Sequence, residues 1–182
     1  MSILFLSFGV AASDDHAPVL QKGGWELGVW TGGGTGLSGG EKNTNLWLAG
    51  GRFGKVLTTG KNNGSLEYVL EVIPAFVIFQ KATVYGVDVT PFMLKWNFKT
   101  TGKVIPYFEF GAGLLFTADD VPERTSKINF TPQGGFGLHL FATRRHAITV
   151  GLKYMHISNG GLDHPNPGIN TIQFQIGYGW FK

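Results

Sequence analysis

Residues 170–182 read NTIQFQIGYGWFK, and their alternation decides the fold. Ile172, Phe174, Ile176, Tyr178 and Trp180 occupy the even positions, while Gln173, Gln175 and glycines occupy the odd ones between them. Successive side chains of a strand point to opposite faces, so this stretch is a strand with one bulky, aromatic face and one small or polar face. The residues just before it carry the same parity. Ile148, Val150, Leu152 and Tyr154 alternate with Thr149 and Lys153.

Farther upstream the pattern recurs. Leu66, Tyr68, Leu70 and Val72 alternate with Glu67 and Glu71. Phe92, Leu94, Trp96 and Phe98 oppose Lys95, Asn97 and Lys99, and Phe108, Phe110, Leu114 and Phe116 oppose Glu109 and glycines. Eight strands are expected, over residues 24–33, 45–56, 65–79, 87–99, 104–117, 127–141, 147–157 and 170–181, separated by Gly, Asn, Thr and charged clusters. Such parity suits a soluble sandwich, bulky face inward, as well as a membrane barrel, bulky face toward lipid. Three features favour the barrel. Many strands exceed the ~5 to 6 residues typical of soluble sheets, their number is even, and the last strand stays aromatic to its end. That last strand is similar to the terminal segment of outer-membrane proteins, with Lys182 added after the aromatic. The expected fold is therefore all-β, an eight-stranded antiparallel transmembrane barrel. Glu67, Glu71, Lys95 and Glu109 would then face the interior and pair there.

Composition agrees. Of 182 residues, 15% are charged, 14% aromatic and 28 are glycine, which excludes a disordered chain and is poor in charge for a soluble domain. With no cysteine there is neither a disulfide framework nor a thiolate metal site. The net charge of +3 is spread over turns, with no basic stripe among stacking aromatics, so no nucleic-acid partner is expected. No apolar run reaches the ~18 to 20 residues of a membrane-spanning helix. Residues 1–12, MSILFLSFGVAA, read as the apolar core of a secretory signal cleaved after Ala12, although no Lys or Arg precedes it; residues 13–182 would form one barrel domain. With both termini periplasmic, residues 58–65, 100–103 and 142–146 become periplasmic turns, and the long connection 159–169 faces outward.

That connection begins with the densest polar cluster in the chain, HISNGGLDHPNPGIN over residues 156–170. His156 and Ser158 are two apart on a strand, so they share a face, with Cα atoms ~6.5 Å apart. Asn170 opens the next strand and can lie beside His156. All three have the parity of the bulky residues, so they point outward, toward lipid, at the outer rim. A polar trio is costly on that surface unless it works at the interface.

The segment resembles the signature of the lipid A 3-O-deacylase (PagL-type) family, within a wider group of acyloxyacyl hydrolases. Those proteins are eight-stranded outer-membrane barrels with His-x-Ser-Asn near the end of the penultimate strand. The resemblance covers about fifteen residues closely; beyond them it is architectural. It implies a carboxylic ester hydrolase with Ser158 as nucleophile, His156 as general base, Asn170 as the orienting third member, and groups around Asn159, Gly161 and Asn166 holding the oxyanion. It also implies lipid A, or lipopolysaccharide, as substrate, the bacterial outer membrane as location, and no cofactor. Well-studied members carry a glutamate where this chain has Asn170. An amide can orient an imidazole but cannot balance its charge, and Cys-His-Asn sites show that orientation suffices. Asp163 and His164 are adjacent and alternate faces, so no metal site is expected.

Two other readings stand beside the hydrolase. In one, a non-enzymatic barrel of adhesin or membrane-integrity type carries a degenerate motif, and His156 and Ser158 belong to a polar rim. In the other, a soluble lipocalin-like barrel binds lipid. The sequence leaves the ester bond cut, the acyl length and the oligomeric state open, a homodimer included.

Overall fold

A computed structural model describes residues 20–39, 44–60 and 64–182. The leader expected over residues 1–12 lies outside the described residues. Eight strands follow in chain order: β1 (Trp25–Gly39), β2 (Asn45–Gly60), β3 (Gly64–Phe79), β4 (Thr83–Asn97), β5 (Val104–Thr117), β6 (Ile128–Thr143), β7 (His146–Ile157) and β8 (Ile169–Phe181). Each pairs antiparallel with the next, and β1 pairs with β8, so the sheet is a closed barrel. Closure leaves no edge, and every strand finds its backbone partners inside the wall, as a bilayer demands.

The faces are inverted relative to a soluble protein. Phe92, Phe110, Phe136 and Phe174 stand 74%, 51%, 64% and 54% exposed on the outer wall. The charged side chains are inside. Arg52 bridges Glu71 at 2.7 Å and Glu109 at 3.2 Å, and Lys153 joins the same two carboxylates at 2.9 and 3.2 Å. Lys95 pairs with Glu26 and, at 3.0 Å, with Glu67. Thus the four interior charges expected from parity do pair there. Toward the end away from the termini, the interior turns apolar, with Leu48, Ile73, Phe76, Met155, Ile157 and Ile169 packed together. A smaller cluster of Ile105, Phe141, Ala147 and Phe181 fills the terminal end. The barrel is filled, as expected of eight strands. An apolar wall around a charged interior assigns the wall to lipid and sets aside both soluble readings.

An arginine on that wall measures the assignment. Phe136 sits mid-strand, opposite Phe108 and Leu152. Phe136→Arg is expected to destabilise folding into vesicles by about 2–4 kcal/mol, and Phe136→Leu to change little; urea titration of vesicle-embedded protein reads both.

Three strands depart from their expected bounds by more than two residues, and β2 runs on past Val56 to Gly60, into the expected turn. β1 continues past Gly33 to Gly39, because β8 approaches too closely for side chains. A Cβ on Gly32 would meet the Phe174 carbonyl at 2.5 Å, and one on Gly34 the Ile172 carbonyl at 2.5 Å. The run GGGTG has poor strand propensity, and the ladder overrides it. β4 runs Thr83–Asn97 rather than 87–99, so Lys99 lies beyond it. The ladders of β3 and β4 are interrupted around Pro74 and Pro91, residues that cannot donate to a neighbour. Inward positions change parity at each interruption.

Candidate active site

β7 and β8 stay paired to their last residues because Ile157 and Ile169 lie opposite each other, both fully buried. Each such side chain contributes about 1.5–3 kcal/mol of apolar burial. One position earlier on β7, His156 pairs with Asn170 in the ladder, and both turn outward. The connection from Ser158 to Gly168 starts with Ser158 bridging Phe130 of β6, through Ser158 N–H to the Phe130 carbonyl at 3.1 Å and Phe130 N–H to the Ser158 carbonyl at 2.7 Å. His156, Ser158 and Asn170 therefore share the lipid-facing wall at one rim, as parity requires.

Hydrogen bonds define the chemistry at His156. Its Nδ1 lies 2.7 Å from Asn170 Oδ1. An amide oxygen only accepts, so in this amide orientation Nδ1 carries the ring proton and Nε2 keeps its lone pair. Asn170 Oδ1 also accepts from Tyr154 Oη at 2.6 Å, and Asn170 Nδ2 donates to Ser38 Oγ of β1 at 2.8 Å. The ring lies over Gly168, where a Cβ would stand 2.7 Å from His156 Cε1 and 3.2 Å from Nε2. Gly168 also has φ +62°, a conformation costly for side-chain-bearing residues. Ser158, 9% exposed, makes no side-chain hydrogen bond with His156 in this arrangement. One χ1 rotation separates a serine hydroxyl's staggered positions, and catalytic contacts of this kind often close only around substrate.

The loop is built on Asn159. Its N–H donates to Asn166 Oδ1 at 3.2 Å, its Oδ1 accepts from Gly161 N–H at 2.8 Å, and its Nδ2 donates to the Asp163 carbonyl at 3.0 Å. The residues expected around an oxyanion are thus brought together, but the N–H groups of Asn159 and Gly161 are engaged within the loop. The Gly160 N–H has no such partner among the described residues, and the Phe130 ring packs against that glycine.

Sequence reasoning did not single out three residues that touch the trio: Tyr154, Gly168 and Ser38. Tyr154 was legible, sharing the parity of His156 two positions away. Gly168 was legible as a turn glycine, although not as the floor beneath the imidazole. Ser38 carried no signal, lying 132 residues from Asn170 and past the expected end of β1. Gly168→Ala is expected to displace the His156 ring, lowering any ester hydrolysis that depends on that ring by about 10- to 100-fold, with the folded barrel retained on a heat-modifiability gel.

Comparison with known proteins bears on the whole chain. The family model for lipid A 3-O-deacylase (PagL) matches residues 7–179. No curated protein sequence matches. Among solved structures, the outer membrane enzyme PagL superposes with a TM-score of 0.62 at 20% identity, covering 84% of this chain and 97% of that one. Neisserial surface protein A gives 0.66 at 11% identity, with 87% and 99% covered. The outer membrane protein OprG from Pseudomonas aeruginosa gives 0.57 at 12%, with 89% and 97% covered. At these identities the superpositions speak for the fold alone, a bacterial outer-membrane barrel.

Proposed function

The chain belongs to the lipid A 3-O-deacylase (PagL) family, and on that premise we propose that it hydrolyses an acyl ester of lipid A by a serine mechanism at the outer-leaflet interface. The observation that carries this reading is the 2.7 Å contact between His156 Nδ1 and Asn170 Oδ1 on the lipid-facing wall, beside Ser158. That contact leaves Nε2 as the ring's proton acceptor, on the outward wall that His156 shares with Ser158. The connection between β6 and β7 is only Arg144–Arg145, whereas residues 118–127 and 158–168 join strands at the opposite end. Short turns belong to the periplasm and long loops to the outside, so the trio meets the leaflet that holds lipid A.

The steps follow from the groups present. Ser158 Oγ attacks the ester carbonyl while His156 Nε2 takes its proton, forming the Oγ–acyl bond and a tetrahedral oxyanion. The oxyanion collapses, the sugar oxygen leaves, and the imidazolium returns the proton to it. Water then repeats the sequence on the acyl-serine, freeing the fatty acid and Ser158. Asn159, Gly161 and Asn166 shape the loop that faces the oxyanion, and within it the Gly160 N–H is the unengaged donor. Each such donor typically contributes about 3–4 kcal/mol to the transition state.

Mass spectrometry of lipid A incubated with the detergent-refolded protein tests the proposal. The expected product has lost one hydroxyacyl chain. An unchanged mass across several lipid A species, with the barrel demonstrably folded, would favour the non-enzymatic barrel instead.

A further inference from the structure

Asn170 has to hold its imidazole in one tautomer without a charge, and a primary amide can do so in only one of its two orientations. A carboxylate has no wrong way round, since both oxygens accept. An amide turned by 180° would present its NH2 to His156 Nδ1. The ring would then accept there, its proton would sit on Nε2, and no lone pair would remain to take the serine proton. In serine hydrolases, a third residue that favours the wrong tautomer lowers kcat by about 10⁴-fold. The side chains that grip this amide therefore matter.

Two do so. Tyr154 Oη lies 2.6 Å from Asn170 Oδ1, and Ser38 Oγ lies 2.8 Å from Nδ2. A serine hydroxyl donates or accepts with similar ease, so Ser38 alone does not choose an orientation. A phenol does choose. Its oxygen lone pair is conjugated into the ring, which makes it a strong donor and a poor acceptor, and it therefore holds an acceptor opposite itself. Tyr154 is placed to impose that choice, two residues before His156 on the same outward face, and Asn170 Oδ1 is the acceptor its hydroxyl meets among the described residues.

We propose that Tyr154 is a positioning residue that fixes the orientation of the Asn170 amide, and through it the Nδ1–H tautomer of His156, with Ser38 as the second grip. This rests on His156 being the general base of the reaction proposed above. No step of bond making passes through Tyr154 itself.

The test separates this inference from that reading. In full-length protein carrying ¹⁵N-histidine in micelles, the two neutral tautomers give distinct pairs of ring-nitrogen shifts. The His156 pair is identified by its loss in His156→Gln. The parent is expected to show Nδ1–H, and Tyr154→Phe to gain Nε2–H. The same variant should lose about tenfold in kcat at unchanged KM, the scale of one neutral hydrogen bond. Asn170→Glu should remove the dependence, with Tyr154→Phe/Asn170→Glu matching Asn170→Glu alone to within about threefold, the residue of packing. An unchanged tautomer in Tyr154→Phe overturns the inference whatever the activity, and so does an equal loss in both backgrounds. The tautomer shift read in protein that hydrolyses nothing would uphold the clamp and sink only the reaction.

Discussion

Ser158→Ala is expected to lower hydrolysis of lipid A by at least about 10³-fold while the barrel folds as before. The lost rate follows from removal of the nucleophile of the proposed reaction. Ser158 shares the outward wall with His156 and carries the hydroxyl that the proposed reaction uses as nucleophile. In serine hydrolases, loss of the nucleophile costs up to about 10⁶ in kcat, and loss of the base or of both costs about the same, because the groups act as a unit. His156→Ala and the double variant should therefore be no worse than Ser158→Ala. Stability should hardly change. The Ser158 hydroxyl has no hydrogen-bond partner among the described residues, and the pairing with Phe130 runs through the main chain, which alanine keeps. Heat-modifiable mobility on a gel reports the fold and mass spectrometry of lipid A the activity. A Ser158→Ala protein that still strips the acyl chain at the parental rate would remove the serine mechanism and redirect attention to the loop.

What parity could reveal and what it could not is clear at this site. The outward placement of His156, Ser158 and Asn170 followed from their even numbers alone, because β7 and β8 run without interruption from Ala147 to Ile157 and from Ile169 to Phe181. Where a proline breaks the ladder, at Pro74 and Pro91, the same rule fails beyond the break. Glycine misled in another way. In β1 the run Gly32–Gly33–Gly34 has no side-chain pattern to read, and its role is to let β8 come close. Misreading it ended the strand early and hid Ser38, which reaches Asn170 only because the barrel closes between its first and last strands. Closure contacts are the longest in sequence and leave no local trace. The interior pairing of Glu71, Glu109 and Lys95 was legible as charge on the inward face, whereas Arg52 and Lys153 as their bridging partners required the register.

Arg52→Met is expected to destabilise the barrel by about 3–5 kcal/mol, the cost of removing one partner from a buried ion pair. Arg52 is 6% exposed and holds Glu71 and Glu109 together from one side, while Lys153 holds them from the other. Without the guanidinium, Glu71 and Glu109 share the one ammonium of Lys153 between the two apolar clusters of the interior. Methionine fills much of the volume, so the loss is one of charge rather than of packing. Removing the opposing charge as well should reverse it. In Arg52→Met/Glu109→Gln, Glu71 keeps Lys153 at 2.9 Å and the layer regains its original charge balance. Urea titrations of the folded protein in vesicles should then show the double variant to be more stable than Arg52→Met alone, with a coupling of about 1–3 kcal/mol. Additive losses would mean that the two side chains stabilise the barrel independently, as space-filling groups, and that the charged layer is tolerated rather than required. Coupling of the expected sign would make the layer a single unit. Lys153, on the inner face of the same β7 that turns His156 toward the membrane, then ties that strand to Glu71 of β3 and Glu109 of β5.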